Sequence, residues 1–147
     1  MPYRNAEDMS AFYSCSDFRL GGIHTPLLFG KEILMFMFTT SSKNMHSCID
    51  ACDQCHRMCL QSAMNRCLEA GGKHVEPSHF RLMMSCAEMC QTSLNFMLSN
   101  SQFSKQVCAV CAEICDACAK SCEQLDGMEE CVQACRQCAD HCRKMAA

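Results

Sequence analysis

Residues 108–122 read CAVCAEICDACAKSC and residues 131–142 read CVQACRQCADHC, joined by the stretch EQLDGMEE. In the first run Cys108, Cys111, Cys115, Cys118 and Cys122 stand three, four, three and four residues apart; Cys131, Cys135, Cys138 and Cys142 follow at four, three and four. On a helix of 3.6 residues per turn this spacing puts every thiol on one narrow stripe, the stripe that faces partner helices in a bundle. Leucine at each position would bury more apolar surface, worth roughly 1 kcal/mol at about 0.8 kcal/mol per methylene. Over these nine cysteines the difference is several kcal/mol, against a whole-domain stability of about 5 to 15 kcal/mol. Packing alone therefore does not account for a seam of sulfur. The thiolate is a soft anionic ligand, and a dry stripe of inward-facing thiols suits a polynuclear site for a soft metal.

The same spacing recurs upstream, in Met45, Cys48, Cys52, Cys55 and Cys59, behind Ser41 or Ser42 as the expected N-cap. Cys67 lies eight residues beyond Cys59, about 80° round the helix from the stripe. Gly71 and Gly72 end this helix, and Pro77 and Ser78 open the next, whose stripe reads Met83, Cys86, Cys90, Leu94 and Met97. SNSQFS, residues 99–104, separates it from a third helix, for which its small polar residues are expected to supply the N-cap, running to about Gln124. Asp126 and Glu129 have capping-box spacing for a fourth, with Gly127 permitting the turn and Arg143 and Lys144 at its C-terminal end.

Four helices of roughly 18 to 28 residues joined by short loops predict an all-α fold, an antiparallel up-down-up-down four-helix bundle with a cysteine-lined core. That domain is expected over residues 41–147. Residues 1–40 carry Pro2, Gly21, Gly22, Pro26, Gly30 and an isolated Cys15 without a sustained helical period, and are expected to form a poorly ordered N-terminal extension. A natural start at Met35 or Met37 is a further expectation. Val110, Ile114, Leu82, Phe96 and Leu98 fall beside the stripe and would seal helix flanks or pack subunit against subunit.

A chain of 147 residues is long enough for one core, and a formal net charge of -3 with mixed signs gives no footprint for nucleic acid and no polybasic membrane patch. Seventeen cysteines would suggest a disulfide framework in a secreted chain. The odd count, the lack of a secretory apolar core and the clustering of neighbours on single helices argue against it. Stapling one helical turn to the next would add almost no loop-closure entropy. A reduced, cytoplasmic setting is expected. The apolar run Ile33 to Phe38 is six residues long, too short to span a bilayer. Thirteen methionines add soft thioethers, most of them core filler.

Zinc takes four ligands in a tetrahedron, commonly from C-x-x-C knuckles on turns, whereas the C-x-x-C pairs here fall inside helices with an extra cysteine at i+4. Iron–sulfur clusters are a second alternative, but no proline follows any cysteine, and a helical stripe strings thiols along a line rather than round a cube. Cu(I) fits the pattern best: it is soft, accepts two thiolates, and lets each thiolate bridge two ions. The function expected is high-capacity Cu(I) storage that protects against copper toxicity, with a single-site iron–sulfur (ferredoxin-like) or zinc-binding module as the alternative. His24, His46, His56, His74, His79 and His141 show no spacing for a catalytic triad, and no enzyme is expected.

With these residues in view, the sequence resembles the four-helix-bundle copper storage proteins, especially their cytosolic bacterial branch. The resemblance covers about residues 44–147 and rests on SCIDACDQCHRMC, CAEMC, VCAVCAEICDACAKSC and ECVQACRQCADHC. It implies a homotetramer of bundles, each filled with many Cu(I) ions bound mainly by cysteine pairs, without catalysis. The metal ligands expected are Cys48, Cys52, Cys55, Cys59, Cys67, Cys86, Cys90, Cys108, Cys111, Cys115, Cys118, Cys122, Cys131, Cys135, Cys138 and Cys142. Relatives often carry histidines in the loop between the third and fourth helices; here that loop offers only Met128. The bundle end that gathers Met64, His74, His79 and Met128 is the expected metal entrance, with Leu94, Met97 and Phe103 plugging the other.

Overall fold

Four long helices account for the fold, and the computed structural model describes their backbone over residues 28–147, with side chains from Lys43 onward. The first, α1, covers Leu28–Gln61 and continues through a π-helical stretch, Ser62–Cys67, into a last α-turn, Leu68–Ala70. A 3₁₀ turn, Gly72–Val75, leads to α2, Pro77–Leu98; α3 covers Ser104–Cys122 and α4 covers Glu129–Ala146. Each helix packs on two neighbours, α1 on α2 and α4, and α3 on α2 and α4, which closes an up-down-up-down ring.

Helix ends follow local chemistry, with three departures from expectation. Helix α1 starts at Leu28, so Ser41 and Ser42 lie inside it rather than capping it, and its 34 residues exceed the expected length. KEILMFMF, residues 31–38, contains no proline or glycine to stop propagation. Residues 1–27, with Cys15, lie outside the described residues, and so does most of the expected extension. The anticipated capping box of α4 does not form: Met128 holds the N-cap position, and the Glu129 carboxylate instead accepts from the Gly127 N–H at 3.3 Å. Gly127 at φ 71° makes the reversal that turns Met128 inward. Before α3 it is Phe103, not a serine, at the N-cap, while the Ser104 hydroxyl lies 2.7 Å from the Ser101 carbonyl and 3.0 Å from that of Phe96, fastening the α2–α3 turn. Elsewhere the punctuation is as read: the Gly71 N–H closes on the Cys67 carbonyl at 3.0 Å, and Pro77 opens α2.

Between the helices lies a core of sulfur and small side chains. Ala63, Ala87, Ala112, Ala119, Ala134 and Ala139 are buried beside the cysteines, and so short a flank lets neighbouring helices approach closely. Ion pairs tie the outside, Arg143 to Asp116 at 2.5 Å across α4 and α3, and Arg136 to Glu123. Being exposed, these pairs are screened by solvent and contribute little to stability. Among the described residues no helix is long and apolar enough to cross a membrane.

Candidate metal centre

Every helix delivers its inward stripe to one column. On α1 and its π-helical continuation these positions are Cys48, Cys52, Cys55, Cys59, Ala63 and Cys67; on α2, His79, Met83, Cys86, Cys90, Ser93 and Met97. On α3 they are Ser104, Cys108, Cys111, Cys115, Cys118 and Cys122, and on α4 Met128, Cys131, Cys135, Cys138 and Cys142. All sixteen described cysteines are buried and free. The closest pairs of cysteine sulfurs lie from 3.4 Å, for Cys59 with Cys135, to 4.0 Å apart, for Cys138 with Cys142. A disulfide requires about 2.05 Å, so these are thiols in van der Waals and hydrogen-bond contact.

Cys67 reaches the column by a change of helix type. Eight residues after Cys59, it would sit off the stripe on a regular α-helix. The π-helical stretch Ser62–Cys67 absorbs one residue, which restores the two-turn, seven-residue relation to Cys59 and returns Cys67 to the core. The sequence spacing held the signal, since eight is seven plus one inserted residue.

Read from one end to the other, the donors form levels. At the first, Cys67 Sγ lies 3.9 Å from His79 Nε2, and His79 Nδ1 is held at 2.9 Å by the Ser121 hydroxyl. Next, the Met83 thioether sulfur lies 3.3 Å from Cys122, 3.5 Å from Cys118 and 3.9 Å from Cys131. Then come the thiol sets. Cys55, Cys59, Cys86 and Cys135 form one group, and Cys55, Cys86, Cys90 and Cys115 another. Cys90, Cys111, Cys115 and Cys138 lead to Cys52, Cys111, Cys138 and Cys142, and the column ends on Cys48, Cys108 and Cys142. Within each of these groups all sulfurs lie within 4.8 Å of one another. Because Cys55, Cys86, Cys90, Cys111, Cys115, Cys138 and Cys142 each belong to more than one group, no quartet is a closed tetrahedral site of its own. Shared ligands are what a chain of thiolate-bridged ions requires.

Crowding couples the protons of these thiols. Cys90 is raised, first by its hydrogen bond with Cys111, while Cys138 is lowered, first by its bond with that same cysteine. Neighbours driven in opposite directions titrate as one set. Burial pushes the Cys67 thiol up and lowers His79, the latter helped by nearby His74, so the His79 imidazole is favoured in its neutral, metal-binding form.

The four residues expected at the entrance share one end but differ in burial. Met64 is exposed at 40%, His74 is half-buried, and His79 and Met128 are buried. His74 Nδ1 is buried without a hydrogen-bond partner. At the opposite end Met97 is buried and Leu94 half-buried, but Phe103 is 52% exposed and does not plug the core as expected. The position read as Leu94 on the α2 stripe belongs to Ser93, fully buried three residues after Cys90. Spacing from Cys90 puts this serine in thiol register, whereas hydropathy favours its apolar neighbour. His56 joins α1 to α2, its Nδ1–H donating to the Ala87 carbonyl at 2.9 Å.

The family described as Csp, copper storage protein, matches residues 41–147. The Nmul_A1745 protein from Nitrosospira multiformis, known from a crystal structure, is 77% identical with a TM-score of 0.71, over 71% of this chain and 96% of that one. The Cu(I)-bound copper storage protein BsCsp3 is 37% identical with a TM-score of 0.66, over 71% of this chain and 99% of its own. The cysteine-rich protein YhjQ of Bacillus subtilis (strain 168) is 38% identical over 67 residues, 46% of this chain and 61% of that protein, so the match spans less than two thirds of that relative.

Proposed function

The chain belongs to the copper storage protein family, and from that premise we propose that it is a high-capacity Cu(I) store whose sixteen described core cysteines are the ligands. The observation that carries this reading is the continuity of the thiol column: overlapping groups run from Cys48, Cys108 and Cys142 to Cys59 and Cys135, and Cys131, 3.8 Å from both Cys59 and Cys122, continues the column beyond them. A single-site ferredoxin-like or zinc module leaves most of those thiols without a role. Cu(I) binding displaces thiol protons to solvent and lets each thiolate bridge successive ions.

The protein works as a store rather than an enzyme, as a homo-oligomer, a tetramer by the family resemblance, in a reducing cytoplasm that keeps its thiols free. Exposed Val110, at 48%, and Leu98, at 64%, support subunit contacts. Copper enters at the end of Cys67 and His79. There the neutral imidazole and the soft Met128 thioether are Cu(I) donors in front of the thiol levels, with His74 and Met64 outside them. Hydrocarbon and Ser93, rather than further thiols, line the α2 side of the other end.

Two measurements test this. Reduced protein offered equal Cu(I) and Zn(II), dialysed and assayed for metal, should retain copper almost alone; retention of one zinc per chain in preference would favour the zinc module. Replacing Met128, His74 and His79 together by alanine should slow Cu(I) uptake from a chelator several-fold while leaving final capacity within about two ions. Slowing caused instead by His46→Ala with His141→Ala would put the entrance at the opposite end.

A further inference from the structure

On α2 the inward stripe reads His79, Met83, Cys86, Cys90: imidazole, thioether, thiol, thiol, in order from the bundle end inward. Methionine in a core is usually filler, chosen for its flexible shape. Met83 differs in where its sulfur lies. Its Sδ accepts from the Cys118, Cys122 and Cys131 thiols at 3.5, 3.3 and 3.9 Å, and the side chain is wholly buried. Three donors from two other helices thus converge on one thioether, at the place in the helix register where the next turns inward carry Cys86 and Cys90.

We propose that Met83 is itself a Cu(I) ligand, forming with Cys118, Cys122 and Cys131 a mixed thioether–thiolate site that fills last and empties first. This rests on the Cu(I) reading above. A thioether is soft enough for Cu(I) but carries no charge, so it binds the cation more weakly than a thiolate. Its level therefore holds copper less tightly than the all-cysteine levels behind it, while remaining contiguous with them: Cys131 Sγ lies 3.8 Å from Cys59 Sγ. The outer neighbours are Cys67 and His79. Such a site gives the store an exchangeable ion next to its neutral-ligand end, without loosening the remainder.

The test uses full-length reduced protein labelled with ¹³C at the methionine methyls. The Met83 methyl is assigned by its loss in Met83→Leu and by through-space contacts to Cys118 and Cys122. On titration with Cu(I) alone its resonance should stay near its starting position until the last equivalents and then shift. The methyl of Met58, whose sulfur faces the Ser62 hydroxyl on the same helix, should move little throughout. Met83→Leu keeps the volume and removes the sulfur; it should bind about one ion fewer, the missing ion being the most readily chelated. A Met83 methyl unmoved at saturation, one that moves with the first equivalents, or a leucine variant with full capacity and the same weakest affinity would overturn the proposal. The methyl titration is made on the parent and decides even if the leucine variant does not fold. A protein that takes up no Cu(I) would overturn the storage reading as well; one that fills its thiols while Met83 stays silent would overturn this inference alone.

Discussion

Cys135 illustrates what a single core position gives up and gains. Its sulfur lies 3.4 Å from Cys59 and 3.7 Å from Cys55, both on the neighbouring helix α1. Leucine there, or at Cys118, would bury roughly 1 kcal/mol more apolar surface, offset in part by crowding. Cys135→Leu and Cys118→Leu are therefore expected to hold fewer Cu(I) ions, with the reduced apo protein as stable as the parent to within about 1 kcal/mol in denaturant titrations. A loss above about 3 kcal/mol would mean that these thiols are packing residues first. His79 makes a second residue-scale case. Burial lowers it from an ordinary value of 6.5, so between its lowered value and 6.5 the unfolded chain binds more protons than the folded one. Stability then rises with pH in that window and is lost as pH falls through it. His79→Gln should flatten this slope in apo-protein denaturation midpoints measured from about pH 5 to 8; an unchanged slope would remove His79 from the acid-sensitive groups.

At the scale of one helix, the π-helical stretch Ser62–Cys67 is where the eight-residue spacing from Cys59 to Cys67 departs from the regular seam. If it exists to absorb one residue, then deleting exposed Asn65, which lies between Ala63 and Cys67, should convert it to α-helix with Cys67 still inward. The apo thermal midpoint is expected within a few degrees of the parent, whereas deleting Ala117, between Cys115 and Cys118, should break the α3 register and unfold the bundle. Equal damage from both deletions, read by circular dichroism on heating, would refute this account of the π stretch. The helical seams of α3 and α4 were legible because cysteine marks nearly every inward position; at Cys67 the eight-residue spacing carries the inserted residue, but regular α-helical periodicity places it off the stripe. At Ser93 the two signals conflict: hydropathy favours its neighbour Leu94, whereas spacing from Cys90 favours the serine. The start of α1 and the Met128 cap were not legible either. Serine is only a weak stop in a strong helical run, and Met128 is turned inward by the positive φ of Gly127.

For the whole molecule, the ring of helix contacts makes the bundle and the metal column one object, since every level draws donors from at least two helices. An ion that binds only this folded arrangement must stabilise it. Copper loading of the reduced protein should raise its thermal midpoint progressively with the number of ions bound, and a midpoint indifferent to copper would put the metal outside the core. The most direct measurement is the count itself: Cu(I) titrated into fully reduced protein against a competing chelator, with copper and protein quantified after gel filtration. The column of sixteen buried free thiols predicts about one ion per thiol, about 16 per chain, through bridging thiolates; a plateau below about four would contradict the store and leave a single defined cluster in its place.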